Sequence, residues 1–288
     1  MKTFEYIEVQ KSRDFGQILT VTFKFLGQNF KNFSKSLLFI TAIPLIITIL
    51  FSNYMLSDYM YDPQTIFNHL PEYFLNIMIN VLISMFATVF ITIIPVIYVK
   101  IYQVKKTSDI SVNEVWNYAK KLFVKIYLAE LGIALIVGIA TLFFIIPGIY
   151  VGIAFSLVPV IIVLEESSFS ESLGRSSRLI SGHWWLTLGL ILILYLILMV
   201  LTSVLSLPLY IITFISALSS PNPEMFIQPD WKMKIATAIS SLSYLFYSLF
   251  TLALTFHYYS LKEKKEATGL FEKIDNINPE NNENLTVG

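Results

Sequence analysis

The chain has 288 residues, of which 55% are hydrophobic and only 14% charged, and its 20 Lys+Arg balance its 20 Asp+Glu. A soluble globular domain carries about 25% charged residues, so this composition excludes an ordinary soluble enzyme and points to a polytopic membrane protein. The balanced charge lacks the basic excess of a nucleic-acid binder, and the absence of cysteine excludes disulfides, thiol nucleophiles and thiolate metal sites.

In chain order, Met1–Ser12 is mixed and polar, so no cleavable signal peptide is expected. Phe15–Phe33 places Phe15, Ile18, Leu19, Thr22, Leu26, Phe30 and Phe33 at helical spacing, opposite Gln17, Lys24, Gln28 and Lys31, which suits a helix lying in the membrane interface. Five stretches then lack Asp, Glu, Lys and Arg: Ser36–Ser57, Tyr73–Val99, Leu131–Leu164, Leu179–Pro223 and Ile235–Leu261. A span needs about 20 apolar residues. The first, second and fifth runs are therefore one span each. The third, extended back to Ile126, makes two short spans around Pro147-Gly148. The fourth makes one span from Trp184 to Leu207, followed by a separate interfacial or re-entrant helix, Pro208–Leu218.

The expectation is an all-α polytopic bundle of about six spans (36–56, 73–99, 126–146, 147–164, 184–207 and 235–259), with amphipathic cytoplasmic surface helices. Residues 1–262 form the membrane domain, and 263–288 form a cytoplasmic tail that is disordered at its Asn-rich end. Alternate connecting segments carry 18 Lys+Arg against 2, which places both termini in the cytoplasm. Tyr98, Tyr102, Trp184, Trp185, Tyr258 and Tyr259 are expected as interfacial anchors at inner ends, and Tyr54, Tyr73, Tyr150 and Trp231 at outer ends.

Two further surface helices carry start signals. Ser111 with Glu114, and Ser168 with Glu171, have the spacing of capping boxes. Glu171 and Arg175 are spaced for an i,i+4 ion pair, and Gly182 can end the third helix. That helix carries Arg175 and Arg178 and leads into Trp184 and Trp185. It suits docking on lipid or recruitment of a cytoplasmic partner.

Candidate functional positions are polar groups inside spans. Glu130 lies about one turn inside the third span, where Lys121 or Lys125 could neutralise it. The second span carries Asn76, Asn80, Ser84, Thr88 and Thr92, each four apart; the sixth carries Thr237, Ser241, Tyr244, Ser248, Thr251 and Thr255. Both stripes suit either helix packing or the lining of a polar cavity. His183 and His257 are expected at the interface. No catalytic, cofactor-binding or metal residue is assigned.

Pro147-Gly148-Ile149-Tyr150, Pro159 through Glu165 and Ser172 through Trp185 together resemble a bacterial polytopic family: the membrane domain that precedes some glycerophosphodiester phosphodiesterases, and its stand-alone relatives. The stretch Tyr259–Leu270 has the character of members from the Bacteroidota. The catalytic barrel of the fused relatives needs about 250 residues. The 27 residues after Leu261 hold no His/Glu metal constellation, so hydrolase activity is not carried over. The expected function is that of a non-catalytic protein of the bacterial inner membrane, an accessory or scaffold subunit of envelope or lipid-related machinery. A small-solute or lipid transporter or channel is the alternative. Membrane lipids and a membrane or cytoplasmic protein are the expected partners.

Overall fold

The computed structural model describes residues 5–59, 69–219 and 231–267. Among these residues the regular structure is helical: α1 (Phe15–Tyr59), α2 (Leu70–Lys105), α3 (Val112–Phe143), α4 (Ile145–Ala154), α5 (Val158–Glu165), α6 (Phe169–Ile180), α7 (Trp184–Ser219), α8 (Trp231–Ser241), a 3-10 segment (Leu242–Phe246) and α9 (Tyr247–Glu266). Six helical stretches are long and apolar enough to cross a membrane, with α4–α5 and α8–α9 each counting as one. The molecule is an all-α polytopic bundle. In lipid every backbone N–H and C=O must be satisfied within its own segment, and helices do this.

Local chemistry sets the helix ends. Both capping boxes form: the Ser111 side chain accepts from the Glu114 amide and the Ser168 side chain from the Glu171 amide, each Glu returning a bond to the cap amide. The helices α2, α5 and α9 end on Lys106, Glu166 and Ala267 in the left-handed conformation. Gly182, at φ +79°, makes the turn between α6 and α7, a conformation costly for a residue with a Cβ.

Several elements differ from expectation. The first surface helix does not exist as a separate unit. It is the first half of α1, a rod of 45 residues, and its buried face of Ile18, Thr22, Phe25 and Phe33 packs on protein. Phe30, assigned to the apolar face, is exposed. The second surface helix likewise runs straight into the third span as α3. In both cases nothing in the backbone breaks the helix, so amphipathic and apolar stretches fuse. The hairpin turn falls at Phe144, three residues before Pro147, because proline is tolerated in the first turn of the helix it starts. The fourth span is itself broken after Ala154, and α5 restarts with Pro159 in its first turn. Pro208 does not divide the fifth span: α7 passes through it to Ser219, giving a rod of about 54 Å at 1.5 Å per residue. Span six is interrupted by the 3-10 segment, so of its polar stripe Thr237 and Ser241 lie before the interruption, Tyr244 within it, and Ser248, Thr251 and Thr255 after it.

The packed core lies at one end of the bundle, the end that holds the start of α1, the end of α2, α5 and the end of α9. Phe25 meets Tyr98, Tyr102 and Phe256 with ring centroids 6.2, 4.9 and 5.5 Å apart. Tyr98, Tyr102, Tyr258 and Tyr259 are core residues there and not interfacial anchors. Their hydroxyls have partners within the protein. Tyr102 accepts from the Ile7 amide at 2.8 Å, Tyr258 donates to Glu165 at 2.6 Å and Tyr259 donates to Gln103 at 2.7 Å.

Charged groups ring this end. Arg175 does not pair with Glu171, which is engaged in its cap. It reaches Glu165 at 3.1 Å and also Glu266, fixing α6 to α5 and α9. The bond to Glu266 pushes the guanidinium pKa up, against the opposing effect of burial. Lys100 donates to the Val163 carbonyl at 3.0 Å and to Glu166 at 2.8 Å, and holds the Glu166 carboxyl below the usual carboxylate range. Lys265 donates to the carbonyls of Arg178 and Ser181.

Trp184 stacks on Tyr150 at 5.5 Å, so these two rings sit at one level and not at opposite membrane faces. Trp185 is 79% exposed. His257 is fully buried, 2.9 Å from the Thr187 hydroxyl, and is not interfacial. The helical start of the tail extends to Glu266, and 268–288 lie outside the described residues.

Candidate functional site

Where the α4–α5 break faces α2, α3 and α9, the bundle leaves a cavity of about 260 Å³. Its polar lining comes from four places in the sequence: Thr88 and Thr92 of α2, Glu130 of α3, Ser156 in the break, and Tyr247 and Thr251 of α9. The rest of the wall is apolar: Ile91, Pro159, Val160, Phe250 and Leu254. The break is what opens this space. Between Ala154 and Val158 the chain leaves the helix, and the Ser156 Oγ is buried there with no hydrogen-bond partner among the described residues. Buried polar atoms are rarely left so.

Glu130 is the chemical centre. The Thr92 hydroxyl lies beside it in the cavity wall. Of Lys121 and Lys125, either of which could neutralise it, neither forms an ion pair with it, and Lys125 donates instead to the Glu166 carbonyl at 3.0 Å. Among the described residues no Lys, Arg or His forms an ion pair with Glu130. By helix rise it stands about 7.5 Å along α3 from Lys125 and about 20 Å from the Phe143 end. A carboxyl in such surroundings can hold or exchange a proton, or bind a cationic or hydrogen-bonding guest.

The two polar stripes meet here only in part. Thr88 and Thr92 from the second span and Thr251 from the sixth line the cavity. Asn76, Asn80 and Ser84 lie on the α2 side nearer Leu70 and do not line it; the Ser84 hydroxyl donates to the Asn80 carbonyl at 2.8 Å. Residues spaced by four drift about 40° per step, so the stripe turns toward α3 and α9 only at its Lys105 side. Arg175 and Arg178, by contrast, belong to the charged end, where Arg175 holds α6 in place. Sequence reading missed Ser156 and Tyr247. A polar residue three before Pro159, inside a long apolar run, was the available sign for Ser156.

Among the described residues no group of three or more His, Asp or Glu side chains is arranged to hold a metal ion. The fold and this site define a multi-pass helical membrane protein with a carboxyl-bearing cavity between its helices. The chain belongs to a family described as a domain of unknown function (DUF7847), whose family model matches residues 67–261. Every cavity residue falls inside that stretch, while α1 precedes it. No curated protein and no solved structure matches the chain.

Proposed function

We propose that this chain is a non-catalytic, multi-pass protein of a bacterial cytoplasmic membrane that receives a small solute or a lipid headgroup in the cavity at Glu130, as a transporter, channel or lipid-handling protein would. The cavity carries the reading. An ionisable group kept among apolar helices with no countercharge from the described residues is expensive, and here it faces open space lined by hydroxyls. The orientation, with both termini in the cytoplasm, is supported by the 18 to 2 distribution of Lys+Arg. The likeness of residues 147–185 to the membrane domain of glycerophosphodiester phosphodiesterases supports a lipid-related setting.

A second reading, an accessory or scaffold subunit, is favoured by a groove of about 500 Å³ between α1 and the α2–α3 connection, lined by polar Asn32, Lys35, Asp109, Ser111 and Asn113 and apolar Phe39, Ile110 and Val112. Such a groove suits a partner's polar loop. Native mass spectrometry of the protein extracted gently from its own membrane separates the two. A small molecule or lipid retained by the wild type and lost in Glu130→Gln supports the cavity reading. A chain that carries no small ligand but a reproducible protein partner overturns it in favour of the scaffold.

A further inference from the structure

Four observations restrict what the cavity can hold. The Glu130 carboxylate lacks a cation from the described residues, and the nearby lysines of α2 and α3, Lys100 and Lys125, are both turned to Glu166. A guest that supplies the missing positive charge is therefore favoured. At about 260 Å³ the space is far larger than a bare metal ion, and Glu130 is its single carboxylate, with no group of three or more His, Asp or Glu side chains arranged to hold a metal among the described residues. The buried Ser156 Oγ, which has no hydrogen-bond partner among the described residues, offers an acceptor to an N–H donor. Tyr247 and Phe250 contribute aromatic rings, which attract ammonium groups through their faces. Tyr247 is also 45% exposed, so this side of the cavity opens toward the apolar outer surface of the bundle.

We propose that the cavity binds an ammonium group carried on an apolar body, with the nitrogen at Glu130 and Ser156 and the apolar part between Phe250, Val160 and Leu254. This names the ligand class and rests on the cavity reading above. A free hydrophobic amine and the amine headgroup of a lipid share this chemistry, and the sideways opening admits either.

The test uses the full chain in phosphatidylglycerol nanodiscs, with benzylammonium as the probe and benzyl alcohol as its uncharged counterpart. Binding is measured by calorimetry. The expected result is that benzylammonium binds at least tenfold tighter than benzyl alcohol, that Glu130→Gln removes this preference, and that Glu72→Gln, which alters an exposed carboxyl at the start of α2, keeps it. Equal binding of the two probes to the wild type, or a preference that survives Glu130→Gln, overturns the ammonium site. Equal binding would leave the cavity as a binding site without charge selection. If neither probe binds, the cavity reading fails as well. Should Glu130→Gln not fold, the comparison of the two probes on the wild type, each corrected for its binding to protein-free phosphatidylglycerol discs, decides alone. Repeating the titration in discs containing phosphatidylethanolamine separates the sources: competition with benzylammonium assigns the site to a lipid headgroup, and unchanged affinity assigns it to a free amine.

Discussion

The protein meets its apolar side chains with two different surroundings. At the charged end, Phe25, Tyr98 and Phe256 are enclosed by four helices and have almost no exposed surface. Along α7, and over the α3–α4 hairpin, side chains of similar hydropathy such as Leu196, Phe143 and Ile146 point outward. The first region is packed like the interior of a soluble domain, where each methylene has protein neighbours. The second is finished only when lipid covers it, because a soluble monomer does not expose apolar patches of this extent. Hydropathy is therefore a statement about the absence of water, and it does not say whether protein or lipid replaces it.

Matched substitutions are the strongest way to break this contrast. Phe256→Ala should cost about 3–5 kcal/mol in reversible unfolding from detergent micelles, as for a filled core site. Phe39→Ala, on a side chain that is 69% exposed, should cost about 0.5 kcal/mol or less. Similar losses at both positions would mean that the outer region is also packed by protein. Next, a charge separates lipid from water. Leu196→Lys, near the middle of the fifth span, should raise the apparent insertion free energy of the α7 segment by about 3–4 kcal/mol in a translocon assay. An unchanged insertion efficiency would remove this face from the bilayer.

The hairpin between α3 and α4 gives a smaller effect. A Cβ added at Gly148 would stand 2.1 Å from the Thr141 Oγ1 and 3.0 Å from the Thr141 Cα. Gly148→Ala should thus cost about 1–3 kcal/mol, and Thr141→Ala in the same chain should recover part of it. No recovery would place the strain elsewhere.

The smallest effect concerns the rim of the charged end. Lys100 holds the Glu166 carboxyl below its ordinary pKa. The pair therefore contributes fully above the unfolded value of about 4.3, and its contribution is lost as the pH falls through the lower folded value. Thermal unfolding of the wild type and of Glu166→Gln should differ at neutral pH and converge in acid. A difference that persists below pH 3 would show that the side chain acts by packing and not by charge.

The legible parts of this fold are those with a local cause. Ser111 with Glu114, and Ser168 with Glu171, cap their helices as their spacing requires. Gly182 turns the chain where a left-handed residue was wanted. What was misjudged depends on neighbours far away in sequence. Tyr98, Tyr102, Tyr258 and Tyr259 have the look of an aromatic belt, yet they are core residues whose hydroxyls find partners such as Glu165 and Gln103. Arg175 has a carboxylate four residues before it, but that group is engaged in a cap. Its partners come from the ends of α5 and α9, 10 and 91 residues away. The candidate site shows the same division. Glu130, Thr88 and Thr92 stood out as polar groups in apolar runs, whereas their meeting with Ser156 and Tyr247 follows from a helix break that no proline or glycine marks at its own position.

By itself the sequence determined the all-helical class, the number of spanning stretches and the two capped helix starts at Ser111 and Ser168. Each of these follows from backbone hydrogen bonds closed within one segment and from side chains a turn apart. Only the tertiary structure decided which apolar faces meet protein and which meet lipid, which carboxylates Arg175 and Lys100 hold, and that Glu130 opens onto a cavity. Protein interior and bilayer are equally apolar to a hydropathy reading, and charge partners are set by where distant helices cross.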